Sequence, residues 1–393
     1  EYCKRLRWKK WAKAEELLIL RKVKLINFRN YKKLSLNLDK KINIFIGDNA
    51  QGKTNILESI YFLALTKSYR TVDQNLIRKE AVAAKVNGEI KDNSIYRSMS
   101  VEISKDSKIV RINNNEVKKI SDYITNLNVI LISPEDISII QGTPAERRNF
   151  LNIELSQLSR NYIKKYNEFN KLLKIRNNYL KMLYKSSNPD RRYLDSVTDN
   201  LIEREVDIYK ERKMFIDKIN ERITQIFENI TGKKNFKVKY ETNVEFSEFT
   251  DKCISDTLKE RYNRNYMKEV ENGMTLYGPH RDDLSFTLDN DDIKLYGSQG
   301  QQKVATIALK LSEIDIFKEV KDSYPIILLD DIFSELDTKS RNKLIGYINR
   351  DIQVVITSND TKGLNKKFLD IAKISKVVNG NVIEKVGKNN GKE

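Results

Sequence analysis

The sequence predicts an α/β fold, a mixed sheet with helices, whose chain is interrupted by a lobe made only of helices. Three observations predict it. Ile42-Asn-Ile-Phe-Ile46 reads as a buried strand and runs into the loop Gly47-Asp-Asn-Ala-Gln-Gly52-Lys53-Thr54 and an apolar helix. Pro325-Ile-Ile-Leu-Leu329 reads as a second buried strand and ends in a pair of acids, Asp330-Asp331. Between the two, from Leu151 to Ile230, apolar residues recur every three or four positions, the period of a helix face.

Taken in order, residues 1–17 read as an extension that is disordered or foreign to the fold, because the chain starts with Glu and the run from Lys4 to Lys13 is basic. Residues 18–142 form the first half of a head. Lys22-Val-Lys-Leu-Ile26 and Leu34-Ser-Leu-Asn-Leu38 alternate as half-buried strands do, with Asn30-Tyr31 at the turn between them. The helix after the loop runs from Lys53 to Leu65. Alternation returns over residues 82–116, with Asn113-Asn114-Asn115 as a hairpin turn, and Asn128 to Ile132 is another apolar strand. Thr143-Pro144 opens the lobe, residues 143–233. Its first apolar run, Leu151 to Leu183, is broken by Ser186-Ser187-Asn188-Pro189, and its second, Leu194 to Ile230, stops at Thr231-Gly232. At roughly 40 residues each, continuous runs give two antiparallel helices about 60 Å long. Residues 234–393 form the second half of the head. Strands are expected near Phe236 to Tyr240, Leu284 to Leu288, Pro325 to Asp330 and Val354 to Thr357. Helices are expected near Gln301 to Lys318 and Lys339 to Asn349. Strands alternating with helices imply parallel βαβ units.

With 393 residues the chain is long enough for two or three domains. Its 72 Lys and Arg against 55 Asp and Glu leave a formal charge of +17. That excess favours an anionic partner, because neutralised phosphates release condensed counterions. Cys3 and Cys253 are the only cysteines and His280 the only histidine, which excludes a disulfide framework and any zinc site of several Cys and His ligands. No apolar run approaches the ~20 residues of a membrane span. Glu15 and Glu16 follow the basic start where a signal peptide needs an apolar core, so a cytoplasmic location is expected.

Gly47 to Thr54 has the spacing of a phosphate loop, the Walker A pattern, in the strand–loop–helix context it requires. Gly47, Asp48, Asn49, Ala50, Gln51 and Gly52 wrap backbone N–H groups around a triphosphate. Lys53 reaches the β- and γ-phosphates, and the Thr54 hydroxyl ligates Mg2+. Asp330-Asp331 is the matching Walker B pair, Asp330 for the Mg2+ shell and Asp331 to polarise the attacking water. ATP and Mg2+ are therefore the expected cofactors, with Lys53 and Asp331 as catalytic residues. Tyr296-Gly-Ser298-Gln299-Gly300-Gln301-Gln302 sets a hydroxyl, a glycine and backbone amides at a helix N-terminus, an anion site. If Gly47–Thr54 holds the nucleotide, Ser298 and Gly300 have no phosphate in their own chain. Their ligand is then the γ-phosphate on a second subunit, which predicts an ATP-dependent homodimer. Ser334-Glu335-Leu336-Asp337 fits the loop lining that seam. In this order the motifs describe an ABC-type P-loop ATPase head.

Leu25-Ile-Asn-Phe-Arg-Asn-Tyr31, the phosphate loop, Lys67-Ser-Tyr-Arg-Thr71, Ser133-Pro-Glu-Asp136, Gly278-Pro-His-Arg-Asp-Asp283, the Ser298 segment and Leu329-Asp-Asp-Ile-Phe-Ser-Glu-Leu-Asp337 together resemble the RecF family of bacterial recombination and repair proteins. The resemblance runs from about Leu18 to Thr357. It implies an ABC-type head with a helical lobe that dimerises on ATP, binds DNA and acts with RecO and RecR to load the RecA recombinase at gaps. Three departures from the wider ABC pattern stand out: a signature without its second glycine, Asp331 in place of the usual Glu, and Thr357-Ser358 where a switch His is usual. They point to slow hydrolysis, a weak DNA-dependent ATPase in which ATP is a timed clamp. Gln141 is the candidate for a glutamine loop. His280 is either a turn residue or a site group.

From Ser156 to Arg192 there are ten Lys or Arg and two acids, interleaved with Tyr162, Tyr166, Tyr179 and Tyr184. Arg160, Lys164, Lys171 and Lys181 fall on the polar face and are the candidate phosphate contacts, against the alternative of a merely solvated lysine face. No pattern suited to base edges is present, so DNA, whether single-stranded, duplex or gapped, is expected to bind without sequence preference. Two other functions fit parts of the pattern. One is a structural DNA clamp in which ATP binding rather than hydrolysis is functional. The other is the nucleotide-binding subunit of a transporter, which needs a membrane partner.

Overall fold

The structure is a computed structural model and describes residues 18–92, 95–185, 190–348, 351–362, 364 and 366–384. The extension before Leu18, the break at Ser186 to Pro189 and the expected helix end at Asn349 lie outside these residues.

The central sheet has six strands in the order Asn381–Glu384, Ala372–Val378, Ile42–Ile46, Val354–Ser358, Ile326–Asp330, Val129–Ile132. All its pairings are parallel except the hairpin made by the first two of these. Ile42–Ile46, Val354–Ser358, Ile326–Asp330 and Val129–Ile132 are buried at every position. A strand covered on both faces has no polar side to show, which is why these segments read as nearly continuous apolar runs. One strand, Val354–Ser358, separates the strand before the phosphate loop from the strand before the acids.

Helix Lys53–Leu65 follows the loop, as its sequence predicts. It lies between the central sheet and an antiparallel sheet ordered Tyr31–Asn37, Leu18–Phe28, Ala83–Asp92, Ile95–Ser104, Lys108–Ile112, Asn115–Glu116. Packed from both sides, it buries Ile56, Leu57, Ile60, Phe62 and Leu63 in one core with Leu20, Val86 and Val101 above and Leu328 and Val355 below. Such a helix needs apolar residues all round rather than one stripe. Asn113 and Asn114 have φ of 50° and 65°, the paired positive values of a two-residue hairpin turn.

In the helical segment, Thr143 and Glu146 form a capping box with Pro144 in the first turn, and helix Pro144–Leu158 starts there. The apolar run expected to be continuous to Leu183 is in fact two helices. Ser159 is extended, at φ −135° and ψ 112°. Its hydroxyl accepts from the Tyr162 N–H at 3.0 Å, starting helix Arg160–Lys185. A serine cap inside a periodic run ends a helix without disturbing the apolar spacing, because both pieces face one core. The second run is a single 40-residue helix, Arg192–Thr231, closed by Gly232. It packs on Arg160–Lys185, on strand Phe236–Glu241 of a three-stranded sheet and on helix Gln299–Lys321. Helices Asp251–Arg264 and Tyr266–Asn272 are not expected from the sequence. The first buries only Ile254, Leu258 and Tyr262, too thin a stripe to stand out. Among the described residues no helix is long and apolar enough to cross a membrane.

Candidate nucleotide site

Strand register assembles the site. Ile42–Ile46, Val354–Ser358 and Ile326–Asp330 run parallel with Asp330 beside Thr357 and Ser358 beside Ile46. The segments that follow them therefore leave the carboxyl edge of the sheet together. Two positions require glycine. A Cβ on Gly47 would lie 2.4 Å from the Val377 carbonyl oxygen, and one on Gly52 (φ 106°) would lie 2.6 Å from Asn30 Nδ2. The Tyr31 hydroxyl donates to the Gly52 carbonyl at 3.0 Å and Asn55 Nδ2 to Asn30 Oδ1 at 2.9 Å. Asn30-Tyr31 thus clamps the end of the loop. The turn at Asn379-Gly380 holds the other side through Gln51: the Asn379 N–H donates to Gln51 Oε1 at 2.6 Å and the Gly380 N–H to its carbonyl at 3.2 Å. Asp48, Asn49 and Ala50 form the exposed crest between these clamps.

The Lys53 ammonium donates to the carbonyls of Gly47 (2.6 Å) and Asp48 (2.8 Å) and to Asn359 Oδ1 (3.0 Å). Burial lowers its pKa, while Asp331, Asp330 and Asp48 favour its charged form. Asp330 is held at both carboxylate oxygens. Thr54 and Thr357 hydroxyls donate to Oδ1 at 3.0 and 2.6 Å, and the Tyr69 hydroxyl donates to Oδ2 at 3.0 Å. Thr357 Oγ1 also accepts from the Asp331 N–H at 3.1 Å, so one threonine orients both acids. Asp331 has φ 49°, a left-handed conformation that costs a non-glycine residue about 1 kcal/mol or more, and its carbonyl accepts from Ser334 Oγ at 2.7 Å. Burial pushes the Asp331 carboxyl above the usual carboxylate range; Lys53 opposes the shift and Asp330 adds to it. Its Oδ1 is buried without a hydrogen-bond partner among the described residues.

Lys53, Thr54, Asp330 and Asp331 are thus brought together. Sequence reasoning misses Asn359, which stands just past the end of the strand between the two motif strands. It also misses the work of Tyr69, although the Lys67–Thr71 segment containing it is one of the motif segments, and it assigns no work to Thr357.

Ser298 and Gly300 lie elsewhere. Ser298 caps helix Gln299–Lys321, its N–H donating to Gln301 Oε1 at 2.8 Å and its hydroxyl accepting from the Gln301 N–H at 3.3 Å. Ser298, Gln299 and Gly300 are exposed, and the preceding Leu295 and Tyr296 are 69% and 76% exposed. Among the described residues none of this segment's hydrogen bonds reaches the phosphate loop. Gln302 turns inward and accepts from Gln141 Nε2 at 2.6 Å, so Gln141 braces the Ser298 segment of its own chain. Glu335 pairs with Lys303, tying the Ser334–Asp337 loop to the same helix.

His280 is half-buried against the helical segment. Its Nε2 lies 3.1 Å from the Thr275 carbonyl oxygen and its ring centroid 6.0 Å from that of Phe169. The surrounding Gly278–Asp283 segment is an ion-paired joint around the buried Asp282: Asp282 pairs with Arg212 at 3.1 Å, Asp283 with Arg147, and Arg148 Nη1 donates to the Asp282 carbonyl at 2.8 Å. Burial pushes the imidazole pKa down to about 4, and among the described residues Nδ1 has no hydrogen-bond partner. A base with a folded-state pKa below its ordinary value stabilises the fold fully above about 6.5, and that contribution fades as pH falls toward 4. The loss reaches about 3 kcal/mol. Proton NMR of tag-free protein reads this one imidazole directly. Its resonance stays in the neutral position at pH 5; a midpoint near 6.5 contradicts the burial.

The basic face is smaller than its composition. Arg176 is buried against Glu269 at 2.7 Å, Lys165 pairs with Asp207 at 2.6 Å, and Arg160 lies 3.4 Å from Asp122. Tyr162 is 1% exposed and stacks on Tyr166, so neither ring lies open on the surface. Lys164, Lys171 and Lys181 are exposed.

A phosphate loop, an acid pair one strand away, a second sheet over the loop helix and a long helical insertion define an ATPase head of the SMC-like class. A family profile described as "RecF/RecN/SMC N terminal domain" matches residues 19–382. The chain belongs to the RecF family: it is 38% identical over 369 residues to the DNA replication and repair protein RecF of Halalkalibacterium halodurans, covering 93% of this chain and 99% of that one. Identity to the Bacillus subtilis protein of the same name is 36% over 370 residues, covering 93% and 100%. A solved structure of the recombination mediator protein RecF with ATP, in the RecFOR pathway, matches with a TM-score of 0.88 at 26% identity, over 95% of this chain and 100% of that one. The Smc head domain of Pyrococcus furiosus matches with a TM-score of 0.53 at 16% identity over 94% and 96%, a likeness of fold.

Proposed function

We propose that this chain is an ATP-dependent DNA-binding protein of recombinational repair and replication maintenance, in which ATP joins two copies into a slowly opening clamp on DNA. Relatives carry the name of DNA replication and repair proteins, and a solved relative is described as a recombination mediator. RecO and RecR are the proposed partners, and loading of RecA at gaps the proposed task. The observation that carries the clamp is the separation of the two anion-binding elements. The loop holds the triphosphate, and Ser298 and Gly300 stand exposed at a helix start with no phosphate of their own.

The residues present fit ATP with Mg2+. The Thr54 hydroxyl and the Asp330 carboxylate are 3.0 Å apart at the start of the loop helix, the pair that holds the ion in phosphate-loop sites. When bound, Mg2+ supplies charge neutralisation of the phosphates. Lys53, withdrawn from the Gly47 and Asp48 carbonyls, binds the β- and γ-phosphates. Asp331, with its raised pKa and its unpartnered Oδ1, accepts a proton from the attacking water. An aspartate reaches less far than the glutamate usual in this class, which makes hydrolysis slow. That difference also favours a second reading, a clamp in which ATP binding alone is functional. Steady-state turnover with and without DNA separates the two: DNA accelerates hydrolysis in the first and leaves it unchanged in the second.

If Lys164 and Lys171 touch phosphates, log affinity for duplex DNA falls linearly with log salt by about 0.9 per neutralised phosphate. Lys164→Glu with Lys171→Glu then flattens the slope by about 0.9 for each phosphate that is no longer neutralised. Fluorescence anisotropy over a salt series reads it; an unchanged slope moves the DNA surface off this helix.

A further inference from the structure

Asp330 is 4% exposed, yet among the described residues its carboxylate accepts from three hydroxyls and from no cationic side chain. Thr54 and Thr357 share Oδ1. Among the described residues Oδ2 is left to Tyr69 alone, at 3.0 Å. A carboxylate bonded at one oxygen can pivot about it; bonded at both, its plane is fixed. Thr54 can offer an oxygen lone pair to a cation while its proton stays on Asp330, so the setting of the Asp330 plane decides where that lone pair points.

We infer that Tyr69 is a positioning residue for the cation site: its hydroxyl fixes the Asp330 carboxylate and thereby sets how tightly a divalent cation is held beside the nucleotide. The inference rests on the ATP and Mg2+ reading above. Tyr69 is itself well placed for this. Its ring packs edge-on against Tyr61, with centroids 5.2 Å apart at 73°. The residues on either side of it are tied to Glu58, which is fully buried: Ser68 Oγ donates to Glu58 Oε1 at 2.6 Å, and Arg70 lies 3.8 Å from Glu58 Oε2. Arg70 Nη1 also donates to Asn55 Oδ1 at 3.2 Å. Glu58, Asn55, Tyr61 and Thr54 all belong to helix Lys53–Leu65. One helix therefore sets both the Thr54 hydroxyl and, through the Lys67–Thr71 segment, the Tyr69 hydroxyl. The carboxylate is held between the two.

Tyr69→Phe keeps the ring on Tyr61 and removes only the hydroxyl. The test is the affinity of the full chain for a fluorescent ATP analogue, titrated with Mg2+ and repeated in EDTA, with no turnover needed. The wild type tightens as Mg2+ is added. In the variant the half-saturating Mg2+ concentration rises about tenfold, the loss typical when the group orienting a metal ligand is removed. Its affinity in EDTA stays at the wild-type value. An unchanged Mg2+ midpoint overturns the inference. So does an equal loss with and without Mg2+, which marks a packing role. If the wild type itself shows no Mg2+ dependence, the cation reading fails and the inference falls with it, an outcome distinct from the other two.

Discussion

Lys53→Arg leaves the protein folded but cuts ATP turnover by about a hundredfold or more, the scale seen when a donor to transition-state charge is lost. The Lys53 ammonium is a compact donor in a ring formed by the Gly47 and Asp48 carbonyls and Asn359 Oδ1, all within 3.0 Å. A planar guanidinium is wider and spreads its protons over a fork, so it cannot occupy that ring or swing from it to the phosphates in the same way. The fold survives because the buried face of the same helix, Ile56, Leu57, Ile60 and Leu63, is untouched. Circular dichroism melting with a coupled phosphate-release assay checks both halves. Wild-type turnover in the variant removes Lys53 from the catalytic role.

Ser298→Arg acts at the other face of the site. ATP binding is kept, since among the described residues the loop, Lys53 and the acid pair make no hydrogen bond with the Ser298 segment in their own chain. ATP-driven dimerisation and hydrolysis are lost, because a long cationic side chain replaces a capping hydroxyl on an exposed helix end proposed to close over another subunit's phosphate. Turnover falls to the background of a Lys53→Met chain. Mixing the two variants, with Lys53→Met in excess, builds heterodimers with one site intact on both faces and one site defective on both. Turnover well above the sum of the separate chains returns; a purely additive rate removes the shared site.

Much of this site is legible in the sequence because its parts are local. A buried strand followed by Gly47–Thr54, and another followed by Asp330-Asp331, are continuous words whose chemistry depends on residues in fixed succession. What the sequence hides is set by register and by long-range packing. Asn359 reaches Lys53 only because Val354–Ser358 lies between the two motif strands, and nothing in its neighbours announces that place. Tyr69 meets Asp330 across 261 positions of chain. Gly278–Asp283 stands out as a motif, yet Asp283 and Asp282 pair with Arg147 and Arg212, and Arg148 bonds the Asp282 carbonyl, away from the loop. Ser159 interrupts a helix whose apolar period continues unbroken, so periodicity carries no mark of the break. The run of Lys and Arg from Ser156 to Arg192 overstates the open surface, because Arg176 is drawn into the core by Glu269.

Sedimentation velocity of the wild type and Ser298→Arg, each with ATP and with ADP, tests the shared site most directly. A site built from two subunits makes the wild type monomeric with ADP and dimeric with ATP, and makes Ser298→Arg monomeric with both while it still binds ATP. A Ser298→Arg protein that dimerises with ATP as the wild type does, or a wild type that stays monomeric with ATP, contradicts the shared site.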